Sequence, residues 1–339
     1  MPFGNLGDVV HGWVNKVTHR GEVPKALDPV PAPAPQRIQP KMAGDVISTS
    51  DTAVVASQLT PEARAALDSL GPLLQTKDIA GKNTMLDHLA NLARNDVHPS
   101  LAEAGLTKQT VLSQLVRELK DYGLEHQSYN NTCAPTACQL YMTKYHPTEF
   151  TRHMTGLAKD GQVDMVGGGT LKLEPSSIKP DGRGDRSDID RLYENSVLDT
   201  SMNGRYDNAK DEFFNGAHGL PEDDVTRFLN AATGGVDGKF RTVNADGETI
   251  ARMAQPVTDK GMGVLVAMKW PMPSEPNAAH ELLVQKVQPS EVDLHNPWGK
   301  DEHAQPGQGP ARRVLDNEGS IAMDRSVFDQ YAYSASIPA

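Results

Sequence analysis

Four residues of this chain have types and an order that could carry one reaction: Gln127, Cys133, His280 and Asn296. A thiol nucleophile needs a lowered pKa, a base within reach, a group that fixes the base, and donors for an oxyanion. Cys133 lies in Gln127-Ser-Tyr-Asn-Asn-Thr-Cys-Ala-Pro-Thr-Ala137, where polar turn-forming residues give way to Pro135. Proline fits the first turn of a helix and nowhere deeper. Cys133 is therefore expected at a helix N-terminus, where the positive end of the dipole favours thiolate. His280 opens an apolar strand and shares a face with Leu282 and Val284. Asn296 begins Asn-Pro-Trp-Gly; its side-chain oxygen can accept the second imidazole N–H and orient the ring, with Trp298 as a cover against water. Asp293 could do the same, but strand alternation turns it to the opposite face. Cys138 is the only other cysteine, five residues on, roughly 140° around a helix from Cys133. It is read as a small core residue, and no disulfide is expected.

In combination, these motifs resemble the papain-like cysteine peptidase superfamily. Gln-x5-Cys is followed by His280, 147 residues after the cysteine, near the ~130–150 of that superfamily. Cys-Ala-Pro-Thr-Ala is similar to the Cys-Gly-Pro-Thr-Ala element of bacteriocin-processing peptidases. Asn-Pro-Trp-Gly is similar to the calpains. The likeness spans residues 125–335 as a set of motifs. It implies an α+β, two-lobed fold in which the nucleophile helix packs against an antiparallel β-sheet. It implies a hydrolase, a thiol protease with a Cys133–His280–Asn296 triad working through a thioester acyl-enzyme. Gln127 and the Cys133 N–H would form the oxyanion hole, and the substrate would be a protein or peptide. Deamidases and transglutaminase-like transferases share this geometry, and a non-catalytic binding protein on the same fold would keep Cys133 as a packed thiol.

Three stretches frame the site. Residues 1–45 hold seven prolines, including Pro29-Val-Pro-Ala-Pro-Ala-Pro35, and read as an extended, disordered tail. Residues 46–123 read as a helical N-terminal subdomain. Thr60-Pro61-Glu62 starts one helix and Gly71-Pro72 stops it; a second spans Asn83 to Arg94; a third begins at Thr107 and stops at Gly123. Because this block directly precedes the nucleophile, residues 58–123 are a candidate for intramolecular inhibition. Residues 124–339 read as the catalytic domain: a helix over Cys133–Tyr145, a long polar loop over 156–219, a helix from Pro221 to Gly234, another over Asp246–Gln255, and strands over Met262–Trp270, His280–Val287 and Val292–Asn296. Helices first and strands later suggest α+β.

Composition narrows the partners. The chain of 339 residues carries a formal charge of -11, against nucleic acid, which needs a basic surface. Residues 181–224 contribute 12 Asp and Glu against 5 Lys and Arg, and this stretch reads as a solvated face. No apolar run reaches the ~20 residues of a membrane span, and no standard signal peptide opens the chain. Membrane binding is therefore not expected, and the location is cytoplasmic or reached by non-classical export, in the style of a bacterial effector. No cofactor or metal is expected. Two thiols cannot make a zinc ribbon, no His-Glu-x-x-His is present, and the calcium-like loop Asp199–Lys210 has lysine where the bidentate glutamate belongs. Arg183-Gly184-Asp185 and Gly167-Gly168-Gly169 read as loops.

Overall fold

The computed structural model describes residues 49–128, 130–179, 186–201, 206–208, 210–213, 219–273, 276–299, 309–316 and 318–339. The Pro-rich tail and the Arg183-Gly184-Asp185 triplet lie outside them, as does part of the calcium-like loop.

The described chain is α+β. Helices α1 (Thr49–Ser57), α2 (Pro61–Leu70), α3 (Met85–Arg94), α4 (Pro99–Glu103) and α5 (Lys108–Lys120) come first. Their starts follow from local chemistry. The Thr60 hydroxyl accepts from the Ala63 N–H ahead of Pro61, Thr84 and Asp87 form a reciprocal capping box, and Thr107 accepts from the Thr110 N–H. The helix stops at Leu70 as expected, and Gly71, with φ +44, turns the chain into a short 3-10 segment. α6 (Cys133–Tyr145) and α7 (Pro147–Asp160) follow. The small hairpins β1 (Gln162–Asp164)–β2 (Thr170–Lys172) and β3 (Tyr206–Asp207)–β4 (Glu212–Phe213) flank α8 (Asp188–Ser201). Then come α9 (Glu222–Thr233), β5 (Phe240–Asn244), α10 (Gly247–Thr258), β6 (Val264–Lys269), β7 (Ala279–Val287), β8 (Glu291–His295), β9 (Arg313–Val314), β10 (Ser320–Asp324), α11 (Arg325–Tyr331) and β11 (Ala332–Pro338).

Seven strands form one antiparallel sheet in the order β5-β11-β6-β7-β8-β10-β9. Alternation sorts its central strands between two cores. Leu265 and Leu283 face the helices α1–α9, while Val264, Val266, Met268, Leu282 and Val284 face α10 and α11. The sheet thus has helices on both faces, and α6 lies against β6 and β7.

Helix α6 is buried on every side from Ala134 to Thr143, as expected of a helix at the centre of a layer rather than at its surface. Two expectations change here. Residues 50–339 form one compact unit, and apolar side chains of α1–α5 share a single core with α6–α9, so no break separates a helical subdomain at residue 123. The polar stretch 156–219 is also not one long loop. It contains the last turn of α7 and all of α8, whose low apolar content hides a buried helix: Asp190, Glu194, Asn195 and Ser196 are fully buried beside Ile189, Leu192 and Tyr193.

Candidate functional site

Cys133 is the first residue of α6 and is partly exposed. Its sulfur lies against the backbone N–H of Glu281, the residue after His280, and accepts from the N–H groups of Ala134 and of Cys133 itself. Burial nevertheless outweighs these donors and pushes the thiol up to about 12. The lowered thiol expected from the helix terminus is therefore not found, because removing a thiolate from water costs more than a few backbone dipoles return.

His280 pairs with Met268 across β6 and β7, which fixes its height on the sheet. Its ring sits between Trp270, at a centroid distance of 4.8 Å, and Trp298, at 5.0 Å. The Nε2 atom is 2.7 Å from Asn296 Oδ1, and the Trp298 backbone N–H donates to that same oxygen at 3.1 Å. Two donors converging on one atom identify it as the amide oxygen, so Nε2 carries hydrogen and Nδ1 is the basic nitrogen of the neutral ring. Burial between the two indoles lowers the His280 pKa to about 4, and Arg312, which lies over Trp270, lowers it further. Among the described residues, no hydrogen bond joins the Cys133 sulfur to the His280 ring. At rest both groups are neutral, a thiol held at the Glu281 backbone and an imidazole held between Trp270 and Trp298.

Asn296 is fully buried at the end of β8. Its N–H donates to Gly319 O at 2.8 Å and its carbonyl accepts from Gly299 at 2.9 Å. Gly319 must be glycine: its φ is +99, and a Cβ there would meet Asn296 O at 2.7 Å. Asp293 faces away from His280 and accepts from Gln288.

Gln127 is buried in the loop that enters α6. Its N–H donates to Pro297 O at 2.8 Å, tying the loop to the Asn-Pro-Trp-Gly turn. Its side-chain amide donates to Asn130 O at 2.7 Å, and its Oε1 has no partner. One amide hydrogen is therefore committed to the loop, and the second has no acceptor among the described residues.

Sequence reasoning missed the groups that hold this loop, and they come from the acidic stretch. Asp211 accepts from the Asn131 N–H through both oxygens, at 3.0 and 2.9 Å, and from Asn131 Nδ2 at 2.9 Å. Arg186 pairs with Glu194 at 2.7 Å and donates to Thr132 Oγ1 at 3.3 Å, while Thr136 donates to Glu194 at 2.7 Å. Arg186, Asp190, Glu194, Asp211 and Asp224 are all buried, so 181–224 is in part an internal clamp on the residues before Cys133 rather than a solvated face. Its signal was a few arginines amid excess acids, a composition that also describes a solvated surface.

Comparison of the chain with protein-family models, with curated proteins and with solved structures found no match.

Proposed function

We propose that this protein is a papain-like cysteine hydrolase that cleaves amide bonds, with peptide bonds as the leading substrate class. The observation that carries the reading is the sealed His280–Asn296 hydrogen bond, one strand residue away from a thiol at the head of a buried helix. An imidazole oriented in this way leaves Nδ1 as a base.

The chemistry begins from the neutral pair. The Cys133 sulfur attacks the carbonyl carbon as its proton passes to His280 Nδ1, and the carbonyl electrons move onto oxygen. The Cys133 N–H and the uncommitted Gln127 amide hydrogen are the donors available to that oxyanion. Collapse breaks the C–N bond, His280 returns the proton to the leaving amine, and a thioester remains. Water then attacks the thioester with His280 as base, releasing the acid and restoring the thiol. Catalytic contacts often tighten only when substrate binds, so the absent thiol–imidazole bond at rest agrees with this order of events.

The test is a peptide-library digest by wild type, Cys133→Ala and His280→Ala, with intact-mass trapping of the acyl-enzyme. Cleavage and an acyl adduct on Cys133 in wild type, both lost in each folded variant, are expected. Cleavage that survives Cys133→Ala would end the proposal. Release of ammonia without cleavage would move it to a deamidase, and an adduct that resolves only onto an added amine to a transferase.

A further inference from the structure

The side of β7 that faces Cys133 carries an acid with no role in the triad. Glu281 alternates with His280, so its carboxyl points to the α6 face with Leu283. It is 5% exposed, and it makes no hydrogen bond and no ion pair among the described residues. Its charge is felt at Cys133. Its strand partner is Ala267 of β6, and beyond Ala267 lies the β11 bulge, where Tyr333 is the extra residue between Ala332 and Ser334. A bulge sets two consecutive residues toward one side of a sheet. Here Tyr333 donates to Glu222 at the start of α9, and the fully buried Ser334 Oγ has no partner. One row of the sheet thus reads Ser334 and Tyr333, the small side chain of Ala267, then Glu281, with Cys133 at one end and Glu222 above.

Two carboxyls, a phenol and a free hydroxyl are therefore gathered beside the nucleophile. Lys269, two residues along the same face of β6, is exposed and forms no ion pair with Glu281 among the described residues. A buried carboxyl without a partner costs free energy unless something supplies the missing charge. Burial and the Glu222 charge hold the Glu281 carboxyl well above the usual carboxylate range, which a bound cation would reverse.

We infer that Glu281, with Glu222 and Tyr333, is a cation subsite that receives the ammonium or guanidinium of a Lys or Arg side chain next to the amide attacked by Cys133. This rests on Cys133 being the nucleophile. A basic side chain entering between the partly exposed Cys133, Glu222 and Tyr333 would donate to both carboxyls.

The subsite can be tested without turnover, through the reactivity of the thiol itself. Methanethiosulfonates transfer their thioalkyl group to a thiolate: an S–S bond forms, the reagent's S–S bond breaks, methanesulfinate leaves with the bonding pair, and the thiol proton goes to buffer. The probes are the 2-aminoethyl reagent, cationic at pH 7, and the 2-sulfonatoethyl reagent, anionic. Modification is assigned to Cys133 by peptide mass mapping. The cationic-to-anionic rate ratio, divided by that of an unstructured cysteine peptide, is expected to exceed one by roughly tenfold at low salt and to fall several-fold in Glu281→Gln. Glu222→Gln should lower it less, and it is the variant to read if Glu281→Gln does not fold. A normalised ratio near one, or one unchanged in a folded Glu281→Gln protein, overturns the inference. So does a thiol that reacts with neither reagent until the chain is unfolded. Because the ratio needs no catalysis, it stands even if no amide is ever cleaved. If peptides are cleaved, Lys or Arg beside the scissile bond should be preferred, and Glu281→Gln should raise KM for them with little change in kcat.

Discussion

At Cys133 burial and backbone donors pull the thiol in opposite directions, and burial prevails: the thiol is pushed up to about 12 while His280 falls to about 4. A preformed thiolate–imidazolium pair would hold its reactivity constant between its two pKa values. A neutral pair exposes thiolate only as pH rises. Alkylation of Cys133 by iodoacetamide should therefore climb without a plateau from about pH 6 to 9, roughly tenfold per unit. A flat rate through that range, lost in His280→Ala, would show that the ion pair forms before substrate arrives. Asn296→Ala should lower kcat by roughly a hundredfold with little change in KM, because the ring loses its orientation rather than its chemistry. Gln127→Ala should cost no more than one oxyanion donor, about 2.7–4 kcal/mol of transition-state stabilisation, and less than Cys133→Ala. The candidate residues could be singled out because a cysteine nucleophile demands particular types in a particular order; of them the structure joins His280 to Asn296 and the Gln127 loop to the Asn-Pro-Trp-Gly turn. Glu281 could not be, since an acid beside an apolar strand residue reads as the solvent side of that strand until both faces are known to be covered.

Local chemistry made the first helices readable. Thr60, Thr84 and Thr107 each cap the helix that follows, and Pro135 fixes the start of α6. Helix α8 was hidden because its stability comes from partners distant in sequence. Arg186 answers Glu194, Gln139 answers Asp190 at 2.7 Å, and Asp188 accepts from Gln114 at 3.1 Å. Removing Glu194 leaves the Arg186 charge buried without its carboxyl partner. Glu194→Leu should cost about 3–5 kcal/mol in denaturant unfolding, while Arg186→Met/Glu194→Leu should regain most of that loss. If the pair also sets the Cys133 loop, the double variant will be stable yet slower in Cys133 alkylation. The helices α1–α5 invite a different expectation from an inhibitory segment. Val55, Leu67, Leu89, Leu112 and Leu115 are buried in the same core as α6, so a chain starting at residue 124 should be insoluble rather than activated. Inhibition by this block is therefore to be sought with substitutions on its surface, not by deleting it.

Across the whole molecule the α6 layer encloses more acid than base. Glu118, Glu125, Asp190 and Glu194 are buried around it and raised by burial, with Arg186 as the opposing charge near Glu194. Glu194, even beside Arg186, lies at about 8. An acid whose folded pKa is raised binds its proton more tightly in the folded chain. Its contribution to stability is complete below the unfolded value near 4.5 and is lost as pH climbs through the folded value. The buried histidines act at the other end. His280 and His295 are both lowered to about 4 by burial, so their contribution is complete above 6.5 and is lost as pH falls toward 4. Together these limits place maximal stability on the mildly acidic side of neutrality, near pH 5–6.5, with Tm falling by roughly 5 °C by pH 8. Glu118→Gln removes one of the raised acids while keeping the size of the side chain and one acceptor oxygen for Ser187, and it should flatten the alkaline limb alone. A Tm that rises from pH 6 to 8 would mean that these carboxyls are ionised in the folded chain, and the acidic layer under α6 would then need cations beyond Arg186 to hold it together.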